Sequence, residues 1–170
     1  MKIIDAHAHH FGKAAASVKE KFLTPAQQWY WDFYQIKSPK NIELADYLTA
    51  AAKMQVPVSV NLPVAPRRYS PEKVAAINLA AADLQQDNWK TVFSLGTINP
   101  HHNLATIKEH LKWMADDQHK LYGVKLHPLD WDAFQAFDPG DDAYFPIYAE
   151  MAKLDLLLTI HCGAGLRGGE

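Results

Sequence analysis

Apolar runs of valine, leucine and isoleucine recur along this chain at a nearly constant step. Val56, Val92, Val124 and Leu156 lie 36, 32 and 32 residues apart, the length of one strand, one helix and their turns. Each run is Val/Ile/Leu-rich rather than cleanly alternating, as expected of parallel strands buried on both faces. The runs predict strands over Val56–Leu62, Thr91–Ile98, Tyr122–His127 and Leu156–His161, the third of these four ending at Pro128. Helical spacing fills the gaps. Asn41 can cap a helix to about Met54, with Leu44, Leu48 and Ala51 on one face. Ser70 and Pro71 form a cap and first-turn proline for a helix through Ala75, Leu79 and Ala82. Asn103 caps a third, carrying Leu104, Ile107, Leu111 and Met114, and Asp141 or Asp142 opens a fourth through Ile147, Met151 and Leu154. Residues 131–140 read as a loop. With a strand at the N-terminus, the pattern predicts an α/β fold of five parallel strands alternating with helices.

That N-terminal strand reads MKIIDAHAHH. Asp5, His7 and His9 alternate with Ala6 and Ala8, and residues two apart share a face of a strand. The expectation is that His7 and His9 project together, with Asp5 one step deeper on the same side. Two imidazoles so placed can grip a metal ion, at about 2.0–2.1 Å for zinc. The connection from Phe11 to Lys40 is long and carries Trp29, Tyr30, Trp31, Phe33 and Tyr34. It reads as a lid or binding loop, or as a short helix packed on the rim.

The other histidines follow the same geography. Seven of the nine fall at or just after predicted strand C-termini: His7, His9, His10, His101, His102, His127 and His161. Sites in α/β sheets and barrels form at that end. Lys125 alternates with His127 on one side of its strand, while Val124 and Leu126 take the other. A lysine inside a sheet needs a reason, because an unpaired buried charge is costly. It could bind an anionic substrate, pair with Asp5, be carboxylated to bridge two metals, or reach into solvent at the rim. Cys162 reads as a packing residue.

Composition narrows the class. At 48% hydrophobic, 21% charged and a net charge of −2, the chain reads as globular, with no basic excess to suggest nucleic acid. No run approaches the ~20 apolar residues of a membrane helix. One cysteine excludes an internal disulfide, which fits the expectation of a cytoplasmic protein.

The first-strand D-x-H-x-H, the G-V-K-L-H-P around Lys125, and a strand ending in His161 followed by small residues resemble the amidohydrolase superfamily. Within it they are most similar to the amidohydrolase-related branch that includes aminocarboxymuconate-semialdehyde decarboxylase. The resemblance implies a TIM-type (β/α)8 barrel, of which residues 1–170 would be the N-terminal portion, with an aromatic insertion at about 11–40 and no second domain. It implies that His7, His9 and His161 ligate a divalent metal, with zinc the expected ion, and that Lys125 or His127 orients the substrate. The implied activity is a metal-dependent hydrolase using a metal-activated water, in truncated form. The alternatives are a non-oxidative decarboxylase of the same family and an inactive fragment, since the further histidine and aspartate of the family's later strands have no counterpart here. The expected partner is a small molecule, with self-association through open sheet edges.

Overall fold

The computed structural model describes residues 4–8, 44–130, 135–136 and 138–161. Asn41, the 11–40 connection, His9, His10 and Cys162 lie outside the described residues, as does the side chain of His7. The elements in order are β1 (Ile4–Ala8), α1 (Leu44–Lys53), β2 (Val58–Asn61), α2 (Pro71–Asp87), β3 (Val92–Ser94), β4 (Gly96–Thr97), α3 (Leu104–Ala115), β5 (Gly123–Leu126), β6 (Leu129–Asp130), β7 (Gln135–Ala136), a 3-10 turn (Asp142–Tyr144), α4 (Phe145–Lys153) and β8 (Leu157–Ile160). Strands and helices alternate as the apolar step requires. The caps fall where the side chains predict them: Ser70 Oγ accepts from Lys73 N at 3.4 Å, and Asn103 Oδ1 accepts from Thr106 N at 2.9 Å. Asp141 caps the 3-10 turn by accepting from Ala143 N.

Parallel pairing runs β1-β2-β3 and then β4-β5-β8. The predicted third strand is therefore one passage of chain in two pieces, the first bonded to β2 and the second to β5. Side chains of α2 cover the backbone groups at the change of partner. Gln85 accepts from Ser94 N at 2.7 Å, and Asn78 both accepts from Thr97 N and donates to Thr97 O. Gly96 sits at the break because a Cβ there would collide with Met114 Sδ of α3. The predicted loop after Pro128 also contains structure, since β6 and β7 pair antiparallel.

The core lies between sheet and helices. Val124 and Leu126 pack with Ile98, Ile107, Leu111, Met114, Ile147 and Met151, each at most 4% exposed. By alternation, Gly123 and Lys125 face away from the helices. No helix among the described residues is long and apolar enough to cross a membrane.

Candidate functional site

The C-terminal ends of β5 and β8 carry the groups that the histidine pattern points to. Register sets Lys125 beside Thr97 of β4 and Thr159 of β8. Lys125 is 2% exposed, so it does not reach into solvent at the rim. Thr97 Oγ1 donates to its carbonyl at 3.1 Å, tying the two strands from the side chain as well as the ladder. One step beyond the pairing, the rings of His127 and His161 stack with centroids 4.2 Å apart and planes 24° from parallel. His161 N donates to Leu126 O at 2.9 Å, which fixes where its strand ends relative to β5. Thus His127 and His161 meet, with Lys125 on the same side of β5 as His127.

The strand carrying His7 departs from simple alternation. Asp5 registers with Ser59, but Ala8 registers with Asn61, so three steps on β1 answer two on β2. An extra residue of this kind is a bulge, and it reverses which side the following residues face. Asp5 lies on the helix-facing side, where Tyr47 of α1 donates to its Oδ2 at 2.7 Å. Asp5 is thus bonded to α1, while the side chain of His7 and the whole of His9, with which it is expected to share a face, lie outside the described residues. Burial raises the Tyr47 phenol to about 12, and its hydrogen bond to Asp5 and that carboxylate's charge add to the effect.

Sequence reasoning missed a second constellation on this rim. Asn99, 1% exposed, donates to the carbonyls of Arg67 at 2.7 Å and Tyr69 at 3.1 Å, and its Oδ1 accepts from His101 N. His102 Nε2 lies 2.8 Å from Tyr69 O. The signal was present as Asn99-Pro100-His101-His102 just past a strand end, but its targets are 30 or more residues away. Further out, burial raises the Tyr144 phenol, Asp141 adds to this, and the charge of Arg67 pulls it back.

Imidazole nitrogens are the donors that zinc, manganese and related ions take. Among the described residues no three His, Cys, Asp or Glu side chains come together as a metal site. His161 is the one expected ligand whose ring is described, and its place at a strand C-terminus beside a second imidazole fits a metal-binding rim.

No family model matches the chain, and no curated protein sequence matches it. Solved structures do. The chain superposes on apo IDCase of Metarhizium anisopliae with a TM-score of 0.72 and 16% identity, covering 94% of this chain and 50% of that one. The chain has the fold of part of a (β/α)8 barrel. It also matches a manganese-bound 5-carboxyvanillate decarboxylase of Novosphingobium aromaticivorans, with a TM-score of 0.66, 14% identity and coverage of 95% and 50%. A probable 2-pyrone-4,6-dicarboxylic acid hydrolase of Acinetobacter baumannii gives 0.57 and 15%, with coverage of 95% and 50%. At these identities the likeness concerns the fold, and the chain spans about half the length of these structures.

Proposed function

We propose that the C-terminal rim is part of the active site of a metal-dependent hydrolase of the amidohydrolase type. The observation that carries this reading is the stacked His127–His161 pair closing the ends of β5 and β8 above buried Lys125. In this reading His161 holds a divalent ion together with His7 and His9 of β1, and the ion, when bound, lowers the pKa of water and polarises a carbonyl. His127 braces the His161 ring by stacking, which limits the orientations its nitrogens can take. Lys125 presents a cation from the sheet interior, suited to orienting a carboxylate or a polarised carbonyl. Thr97 and Thr159 flank it and narrow the space in which its side chain moves.

A second reading is non-oxidative decarboxylation on the same rim. It is favoured by the 5-carboxyvanillate decarboxylase among the matching structures and by the aromatic residues of the 29–34 stretch, which suit a planar substrate. Zinc is the expected ion, and the manganese in that decarboxylase makes manganese the competitor. The small-molecule partner and a cytoplasmic location belong to the same reading. Product analysis separates the two chemistries: with metal supplied, an aromatic acid losing carbon dioxide supports the lyase, and a cyclic ester opened to acid supports the hydrolase. If metal neither binds nor changes either assay, both readings fail.

A further inference from the structure

Beyond the histidine pair, the rim carries a turn held with unusual thoroughness. Pro66 to Tyr69 close a turn in which Tyr69 N donates to Pro66 O at 2.9 Å, leaving Arg67 and Arg68 at its tip, both exposed. The turn belongs to the connection that follows β2, yet it is anchored from the loop after β4. Asn99 spends both amide hydrogens on Arg67 O and Tyr69 O. His102 Nε2 approaches the same Tyr69 oxygen at 2.8 Å and Asn99 Nδ2 at 3.2 Å. Two acceptors at 2.8 Å would repel, so the imidazole carries its proton on Nε2, and Asn99 and His102 converge on Tyr69 O as two donors. The same tautomer leaves Nδ1 of His102 as a lone-pair atom, buried and with no hydrogen bond among the described residues. His102 N in turn donates to Asn99 O, so the two clamp residues brace each other. Every hydrogen-bonding group of the Asn99 side chain is thus committed to one short stretch of backbone or to the loop that carries it.

The object held is a pair of guanidinium-bearing residues. Arg68 lies 5.8 Å and Lys73 Nζ 4.1 Å from the centroid of the Tyr69 ring, so the turn also fixes where these cations gather. On the far side, the charge of Arg67 reaches Tyr144 at the start of α4. The connection after the second strand therefore rests on the loop of the third β/α unit. Polar side chains that reach backbone carbonyls of a distant loop fix position rather than add core.

We propose that Asn99 and His102 are positioning residues that clamp the Pro66–Tyr69 turn and so set where Arg67 and Arg68 stand on the C-terminal rim. The inference rests on the preceding section only in taking that rim as the mouth of the site, and its test needs no catalysis. Limited trypsin digestion of the chain reads the turn directly, since cleavage after Arg67 or Arg68 requires it to open. Cleavage after Lys125, buried in the sheet, reports global unfolding in the same sample. In His102→Leu and Asn99→Ala, cutting at the turn should rise about tenfold while cutting after Lys125 stays constant, because proteolysis tracks the open population. His102→Gln, whose amide can donate from nearly the same place as Nε2, should restore protection. No rise at the turn in His102→Leu, or an equal rise after Lys125, overturns the proposal. So does a turn in His102→Gln as labile as in His102→Leu.

Discussion

On the helix-facing side of β5, Val124 and Leu126 are sealed under α3 and α4, none of their apolar partners in that cluster more than 6% exposed among the buried set. The opposite side differs along its length. Near the C-terminal ends it carries Lys125, His127 and the His161 stack, whereas at the N-terminal end Leu157 is 64% exposed. Ile4 and Phe93 are exposed apolar residues as well. Along β5 one face is therefore covered by helices, though Leu158 beside Val124 on β8 is 38% exposed, and the other combines a polar rim with the exposed Leu157. The difference teaches that stability and chemistry are divided between faces, as alternation along a strand allows.

The comparison breaks if the two faces respond alike to truncation. Leu111→Ala, on the sealed side, should cost about 2–5 kcal/mol, while Leu157→Ala should fall within about 0.5 kcal/mol of the parent. Urea unfolding of both variants checks this, and equal losses would show that the exposed side is also core. Next in size is Gly96→Ala, which drives a methyl toward Met114 and should cost about 1–3 kcal/mol by overpacking. A Met114→Ala partner that relieves the loss would locate the strain on the helix-facing side.

Two pH responses sharpen the picture further. Tyr47 is held protonated up to about 12 in the fold, against 10.0 for an ordinary phenol. The unfolded chain therefore releases this proton first, and stability should fall as pH rises from about 10 toward 12. Tyr47→Phe should remove that slope in alkaline unfolding curves, and an unchanged slope would deny the Asp5 contact its role. The smallest effect is at His110, whose pKa burial lowers from 6.5, with His102 adding to the shift and Glu109 and Glu72 opposing it. The unfolded chain then takes up its proton first as pH falls, so this contribution is full above about 6.5 and erodes below it. His110→Gln should flatten thermal stability between about pH 7 and 5.

Much of the fold was legible because apolar runs and caps are local. Ser70 and Asn103 cap where their side chains indicated, and four of the five strands keep their places with trimmed ends. What was not legible depends on partners distant in sequence. The break at Leu95 follows from a change of pairing partner and from Asn78 and Gln85 of α2, and within Thr91–Ile98 only Gly96 hints at it. The bulge in β1 exists only relative to β2, so alternation along the sequence could not show it. For the site, the strand-end rule brought His127 and His161 to one place. The same rule placed His102 at a strand end but not its target, which lies 33 residues away at Tyr69.

The central claim is that the face away from the helices carries a metal-binding rim and that His161 belongs to it. The most direct measurement is the metal content of purified residues 1–170 after loading with zinc or manganese and removing excess, compared with His161→Ala and His102→Ala. The account predicts about one ion per chain in the parent and in His102→Ala, and loss of binding in His161→Ala. Equal metal in His161→Ala and the parent would contradict it.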